Sequence, residues 1–179
     1  WLTLDERDQS ADQVLRYLVA ACQTIAPACG RRALAWLDAP QPPSPEVVVT
    51  ELVNDLAALP APSVLVLDDY HLVRAPAVHA AVSFLLDHLP PTLYLVIASR
   101  EDPPLPLPRL RARRQLVELR AADLRMDAAE VGRLVQMVGV DVPDDEAALL
   151  ADRTEGWAAG VQLAALSMRH ESQPGEFIR

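Results

Sequence analysis

The chain has 179 residues, of which 51% are hydrophobic, enough for one sizeable core and too many for a disordered tail. Its net charge of −9 argues against a broad surface that grips a nucleic-acid backbone. All sixteen basic residues are Arg, which excludes sites that need a lysine, above all the phosphate-binding Walker A loop.

No segment of the chain predicts export or membrane insertion. No apolar run approaches the roughly 18 residues that a membrane helix needs, and no secretory signal pattern opens the sequence. Cys22 and Cys29 are too few for a disulfide framework and have no ligand cluster beside them, which disfavours a cysteine-based function. We therefore expect a cytoplasmic protein. Because the sequence begins in mid-pattern at Trp1, we also expect a domain cut from a longer chain.

Three helices are predicted between a first short strand and the middle of the chain. Residues 1–5 have the character of the end of a strand. Apolar residues recur at helical spacing over 14–25, and a shorter helix is predicted over 31–38. Ser44 followed by Pro45 predicts the start of a third helix, because serine caps helices and proline suits their first position.

Two continuous apolar runs, 64–67 and 93–98, predict strands buried on both faces, as in parallel sheets. A helix over 76–89 separates them. Residues 115–119 predict a third, weaker strand. The proline-rich segment 102–108 before it is expected to be extended, because proline removes donors and fixes φ. These elements indicate an α/β fold.

Only helices are predicted in the last third of the chain. Asp127 and Glu130 form a capping-box pattern at the start of one helix, and two more helices are predicted over 143–153 and 157–168. We therefore predict an α/β domain over 1–122, followed by the start of a small all-helical domain over 123–179.

Asp68 and Asp69 directly follow the apolar run 64–67, at the carboxyl end of a predicted buried strand. Ligands bind at that end of the strands in open α/β sheets. Four apolar residues ending in two acids match the Walker B arrangement. In it the first carboxylate orients water on Mg²⁺ and the second polarises an attacking water. On this pattern alone, the alternative that both acids cap the next helix or face solvent is equally open.

Arg100 occupies the matching position after the strand predicted over 93–98. Because adjacent parallel strands end at one crevice, a guanidinium there could contact a terminal phosphate in bidentate geometry. The alternative is a surface arginine that ends the strand or pairs with Glu101 or Asp102. The two strand ends together are a stronger signal than either alone.

Other chemistry-bearing residues favour structural interpretations. His71 has no supporting partner in the sequence and is interpreted as a helix-entry residue. The basic run from Arg109 to Arg114 is typical of a solvated face, with a contact to phosphate or to a partner domain as the alternative. Trp157, which lies between two glycines, is interpreted as a packing anchor.

Seven segments of the sequence carry a family signal. They are Trp1-Leu-Thr-Leu-Asp5, Val64-Leu-Val-Leu-Asp-Asp-Tyr-His71, Phe84-Leu-Leu-Asp-His-Leu-Pro-Pro91, Ala98-Ser-Arg100, Asp102-Pro-Pro-Leu-Pro-Leu107, Leu119-Arg-Ala-Ala-Asp-Leu124 and Arg153-Thr-Glu-Gly-Trp-Ala-Ala-Gly160. In this order they resemble the large ATP-binding LuxR-family transcriptional regulators of the MalT type, which belong to the STAND signalling NTPases. The resemblance spans nearly the whole chain.

The resemblance implies a P-loop NTPase-like parallel sheet and a role for three residues. Asp68 would be the Mg²⁺-site acid, Asp69 its acidic catalytic partner and Arg100 the sensor arginine that contacts the nucleotide. In this family ATP and an inducer convert a closed monomer into a self-associating activator. The Walker A loop would lie before Trp1, whereas the inducer-sensing repeats and the DNA-binding helix-turn-helix would lie beyond Arg179.

The expected cofactors of the intact protein are therefore ATP and Mg²⁺, with none expected for this chain alone. The family is a slow ATPase-type switch, and this segment, without the lysine, is expected to be catalytically silent and to make no direct nucleic-acid contact. The alternative is a protein-interaction module with no nucleotide role, in which Asp68 and Asp69 are structural. A free-standing acid–base hydrolase is disfavoured, because no His or Ser nucleophile joins the acids.

The resemblance also implies the strand order 5-1-4-3-2, with the first strand missing from this chain. Residues 1–4 stand for strand 2, 64–67 for strand 3, 93–98 for strand 4 and 115–119 for strand 5. Strand 4 would then present an unpaired apolar edge, which is a template for pairing. We expect this edge to be covered, preferably by 115–119 closing up beside it and otherwise by a second copy of the chain.

Overall fold

The computed structural model describes residues 1–169, which divide into two compact units, the first from Trp1 to Arg113 and the second from Arg114 onward. The first unit contains β1 (Leu2–Thr3), α1 (Ala11–Gln23), α2 (Arg31–Leu37), α3 (Pro45–Ala57), β2 (Ser63–Asp68), α4 (Pro76–Asp87), β3 (Leu93–Ile97) and α5 (Leu107–Ala112). The second contains α6 (Ala128–Met137), α7 (Asp144–Arg153) and α8 (Ala158–Met168). None of the helices described is long and apolar enough to cross a membrane. The domain division after residue 122 stays a prediction.

The three strands of the first unit form one parallel sheet in the order β1-β2-β3. Leu2 pairs with Leu67 across the first ladder, and Leu65 pairs with Leu95 across the second. The continuous apolar runs of β2 and β3 are the reason that both strands were predicted. The predicted fold class, an α/β P-loop NTPase-like parallel sheet followed by a small all-helical unit, is confirmed.

One face of this sheet is buried by helices. Leu65, Leu67 and Leu93 are at most 6% exposed and belong to a single apolar cluster with residues of α1, α3 and α4. The apolar side chains of α1 recur at helical spacing, so its Val14 and Leu18 meet this cluster while its polar side faces outward. The predicted start of α3 is also confirmed, with Ser44 preceding the helix and Pro45 as its first residue.

The other face of the sheet is bare among the described residues. Side chains alternate along a strand, so Val64, Tyr94 and Val96 point away from the helices, and they are 54%, 61% and 45% exposed. Parallel sheets are normally covered on both faces. Within residues 1–169, β2 is the only strand that pairs with β3, so the other edge of β3 has no neighbouring strand.

Two predictions about the chain after β3 are wrong. Residues 115–119 form no strand and do not close up beside β3; they lie in the second unit, with Val117 and Leu119 88% and 73% exposed. Five residues of strand-like sequence have no stable backbone pairing without a neighbouring strand. The extended segment also ends sooner than predicted, because α5 starts at Leu107 and takes Pro108 into its first turn, where a missing N–H costs nothing.

The second unit has its own small core. Val131 and Val135 of α6 pack with Val161 and Ala165 of α8, and all four are fully buried. The predicted capping box is present: Glu130 N donates to Asp127 Oδ1 at 2.8 Å, and Asp127 N donates to Glu130 Oε2 at 3.0 Å. Trp157 precedes α8 and is 43% exposed, so it is a weaker packing anchor than the sequence suggested.

Candidate functional site

Asp68 is the last residue of β2, and its backbone is fixed on both sides. Leu4 N donates to Asp68 O at 3.0 Å, and Ala98 N donates to the preceding carbonyl of Leu67 at 2.9 Å. The half-buried carboxylate accepts a 2.9 Å hydrogen bond through Oδ1 from the N–H of Asp69. The central position of β2 in the sheet therefore holds the Asp68 carboxylate at the carboxyl edge.

Asp69 adopts a left-handed backbone conformation, with φ 54° and ψ 34°. This region costs a non-glycine residue on the order of 1–2 kcal/mol, although Asp tolerates it better than most. The conformation is held by the short 3₁₀ turn Tyr70–Leu72, in which Leu72 N donates to Asp69 O at 3.0 Å. Tyr70 N also donates to Ala98 O at 3.0 Å, which ties the turn to the end of β3.

His71 lies inside this turn, which agrees with its interpretation as a residue at the entry to a helical segment. Its side chain is only 14% exposed, and its Nδ1 lies 3.9 Å from Asp69 Oδ1. That separation is too long for a hydrogen bond, and Nδ1 has no other partner among the described residues. His71 therefore lies beside the acidic pair, and the sequence did not indicate this proximity.

Arg100 follows β3 at the same carboxyl edge, two residues beyond Ala98. Its side chain is exposed, and within residues 1–169 the structure gives it no hydrogen bond or ion pair. Glu101, which the sequence offered as a partner, lies 3.7 Å from Arg74 instead. Asp68 and Asp69 thus lie at the end of β2, and Arg100 lies three residues beyond the end of β3. No salt bridge joins the arginine to either acid.

The acidic pair does not by itself form a metal site, and an ion bound to it would need further ligands. Among the described residues no group of three or more His, Cys, Asp or Glu side chains could hold a metal ion. Mg²⁺ in nucleotide sites is commonly bound by one or two carboxylates together with water and phosphate oxygens. The Asp68 carboxylate, half-buried and with Oδ2 free of hydrogen bonds in this part of the chain, fits such a role.

Two residues at this edge were not singled out from the sequence. Tyr70 is 1% exposed, and its hydroxyl lies 3.0 Å from Nδ1 of His79 on α4. Gln9 follows β1 and forms hydrogen bonds with the last residue of the 3₁₀ turn and with the segment after it. An aromatic residue directly after two acids was a possible signal for Tyr70. Gln9 offered none, because its partners in and after the turn lie more than 60 residues away.

The comparisons with known proteins agree with the resemblance predicted from the sequence. No protein-family model matches the chain. It is 34% identical over 177 residues to the HTH-type transcriptional regulator MalT of Yersinia enterocolitica and 34% identical over 173 residues to that of Cronobacter sakazakii. It is 32% identical over 177 residues to that of Klebsiella pneumoniae.

These matches cover 96–98% of this chain but only 19–20% of each relative. The chain thus spans about one fifth of the length of the curated relatives that it matches. The predicted MalT-type resemblance is confirmed over that region, and the similarity is to a transcriptional regulator.

Proposed function

We propose that this chain is the part of a MalT-type, ATP-dependent transcriptional switch that carries the Mg²⁺-site and sensor strands of the nucleotide-binding sheet. The similarity to MalT regulators along nearly the whole chain supports this assignment. The observation that carries it is the placement of Asp68 at the carboxyl end of β2 and of Arg100 three residues beyond the carboxyl end of the adjacent parallel strand β3. In open α/β sheets this edge is where nucleotides bind.

In this proposal each residue has one task. Asp68 supplies a carboxylate oxygen to Mg²⁺, and Asp69 orients or polarises a water beside it. Arg100, which has no partner among the described residues, contacts the terminal phosphate and so senses whether the triphosphate is bound. The bound Mg²⁺ would neutralise charge on the phosphates. All three roles are those of the Walker B and sensor positions of a STAND NTPase of the LuxR-regulator type.

The bare edge and bare face of the sheet support the proposal that the longer polypeptide supplies another part of the nucleotide-binding domain. Chain connections between parallel strands are right-handed. The chain crosses the sheet in one direction, from β1 through β2 to β3, so the connecting helices all lie on one face. A helix on the other face requires a connection that runs backwards, from a strand beside β3 to β1. We propose that the longer polypeptide supplies this strand and helix before Trp1.

That added unit would create the binding crevice. Strand order reverses between β3 and the added strand, and ligands bind at such a reversal. Arg100 would flank this crevice, and the loop after the added strand would carry the phosphate-binding lysine that this chain lacks. The helix after that loop would cover Val64, Tyr94 and Val96, which are now exposed.

The partners of the longer protein are part of the same proposal. An inducer and DNA would bind to other domains, and ATP with inducer would favour self-association of the regulator. This segment, with a net charge of −9, would not itself contact nucleic acid. A cytoplasmic location would follow from action on DNA.

The test is calorimetry with Mg-ATP on the longer protein and on the 179-residue chain. The longer protein should bind, whereas the chain alone should not reach micromolar affinity, because backbone donors of the phosphate loop and the lysine are absent. In the longer protein Asp68→Asn should weaken Mg²⁺-dependent binding about tenfold to a hundredfold, as expected for loss of a charge-assisted contact of about 1.5–3 kcal/mol. Arg100→Ala should leave binding measurable and uncouple ATP from transcriptional activation.

Asp12→Asn on the exposed side of α1 and Arg133→Ala on α6 are matched controls that should change neither measurement. A longer protein carrying both Asp68→Asn and Arg100→Ala that still requires ATP and activates normally would show that both residues are structural. A micromolar dissociation constant for the isolated chain would contradict the proposal that the lysine-bearing loop is essential.

The bare edge favours one alternative function, a protein-interaction module that pairs β3 with a strand of another protein. Under that alternative the longer protein would bind no Mg-ATP, and Asp68→Asn would be silent. The same calorimetry therefore separates the two functions.

A further inference from the structure

We propose that Gln9 is a positioning residue, which holds the turn after β2 in the conformation that Asp69 requires. Its effect on nucleotide binding rests on the proposed function, whereas its effect on the turn does not. Gln9 lies in the loop between β1 and α1, at the same carboxyl edge of the sheet as Asp68.

The side-chain amide of Gln9 uses its full hydrogen-bonding capacity on backbone groups. Nε2 donates to the carbonyls of Glu6 and Leu72, each at 3.1 Å. Oε1 accepts from the N–H groups of Arg74 and Ala75, at 2.8 and 2.9 Å. A primary amide offers two donors and one acceptor oxygen with two lone pairs, so none is left over. Three of the four bonds reach the segment 72–75.

These bonds act directly on the turn that bears the acidic pair. Leu72, whose carbonyl Gln9 holds, is the last residue of the 3₁₀ turn, and its own N–H donates to Asp69 O. Arg74 and Ala75, whose N–H groups Gln9 holds, join that turn to the start of α4. These hydrogen bonds of Gln9 to residues 72–75, here called the clamp, therefore fix the turn at the end opposite to the strained left-handed residue Asp69.

The clamp adds hydrogen bonds to a turn that makes few of its own, whereas the far end is otherwise held by burial of Val73 in the apolar cluster. The internal bonds of the turn are two, from Leu72 N to Asp69 O and from Val73 N to Tyr70 O. A 3₁₀ turn of three residues has poor hydrogen-bond geometry, and a strained neighbour persists only where its surroundings over-determine it. Release of 72–75 would let Asp69 relax from the left-handed region, and its carboxylate would move.

Amide hydrogen exchange on the 179-residue chain tests the effect on the turn. In Gln9→Ala the N–H groups of Arg74 and Ala75 should exchange at least about tenfold faster, the factor that corresponds to about 1.4 kcal/mol. Those of Leu72 and Val73 should follow, although neither bonds to Gln9 through its N–H. Gln9→Glu keeps an acceptor for Arg74 and Ala75 but loses both donated bonds, so it should protect those two and still release Leu72.

Gln23→Ala is the matched control, because Gln23 lies in the same unit and its Nε2 donates to the backbone carbonyl of Cys29 at 3.1 Å. It should leave exchange at Leu72 and Val73 within about twofold of the wild-type rate, well below the tenfold effect expected at the turn. If Gln9→Ala leaves Leu72 and Val73 equally unchanged, or accelerates the amides of β2 as much as those of the turn, the positioning role is overturned.

The functional arm uses Mg-ATP affinity of the longer protein. Gln9→Ala should weaken it about tenfold, while Gln23→Ala should leave it within about twofold. An unchanged affinity in a variant whose turn exchanges faster would overturn the link between turn and nucleotide. If the wild-type longer protein binds no Mg-ATP, the proposed function fails, and the exchange rates alone decide whether Gln9 holds the turn.

Discussion

The hydroxyl of Tyr70 and Nδ1 of His79 are 3.0 Å apart, and this contact joins the 3₁₀ turn after β2 to helix α4. Tyr70 is 1% exposed, and burial raises the pKa of its phenol. Burial also lowers the pKa of His79 below its usual value near 6.5. The imidazole is therefore neutral in the folded protein at neutral pH, and an unprotonated Nδ1 can accept from the phenol.

Acidification below about pH 6.5 should destabilise the first unit through His79. The folded state holds the His79 pKa below its unfolded value, so the unfolded chain binds this proton first as pH falls. Stability from the neutral imidazole is complete above the unfolded pKa and decreases from there down to the folded one. The urea midpoint of the wild type should therefore be lower at pH 5.5 than at pH 7.5.

In His79→Gln this part of the decline should disappear, and the midpoints at the two pH values should lie closer together. His88→Gln is the control, because His88 lies on the exposed side after α4, with Nδ1 2.8 Å from the carbonyl of Phe84. An equal pH dependence in wild type and His79→Gln would show that other groups cause the decline.

Asp69 provides a prediction about backbone strain. Asp69→Gly and Asp69→Ala both remove the carboxylate, but only glycine adopts φ near 54° without steric cost. The glycine variant should therefore be about 1 kcal/mol more stable than the alanine variant, as measured by urea denaturation. Equal stabilities would mean that the turn relaxes when the carboxylate is absent.

Two glycines of the second unit separate backbone strain from steric overlap. Gly156 and Gly139 have φ of +72° and +90°, so alanine is strained at both. A Cβ on Gly156 would lie 2.6 Å from the carbonyl oxygen of Met126, whereas a Cβ on Gly139 would meet no atom within 4 Å. Gly139→Ala should cost about 1 kcal/mol, and Gly156→Ala about 2–4 kcal/mol.

The measurement is amide exchange of the core residues of α6, which reports the second unit by itself. Met126 N also donates to Gly156 O at 2.8 Å, so exchange at Met126 should rise most in Gly156→Ala. Equal effects of the two substitutions would show that the chain near Met126 moves aside at little cost.

The sequence predicted those elements whose signal is local. The two apolar runs predicted β2 and β3 because such runs are typical of strands in parallel sheets, although only one face of these strands is buried in residues 1–169. The capping box at Asp127 and Glu130 was legible because both of its hydrogen bonds lie within one turn. The position of Asp68 and Arg100 at a common edge followed from strand order alone.

The failures concern contacts with partners that the local sequence does not contain. Residues 115–119 have strand-forming composition, but a strand exists only where a neighbour accepts its hydrogen bonds. Gln9 and its partners at the turn are separated by more than 60 residues, and a polar residue in a polar loop gives no sign of such a partner. The left-handed conformation of Asp69 likewise depends on a turn that is held from outside.

The bare face of the sheet affects how substitutions in this region are interpreted. A charged residue at Val64, Tyr94 or Val96 replaces an exposed side chain here, so the isolated chain should tolerate it with little loss of stability. If the longer polypeptide covers these positions as proposed, the same charge would be buried there without a partner and would be severely damaging. Mutational tolerance measured on the 179-residue chain would therefore misclassify core positions of the longer protein as permissive surface. Assays of expression and solubility on the 179-residue chain would misclassify these positions in the same way.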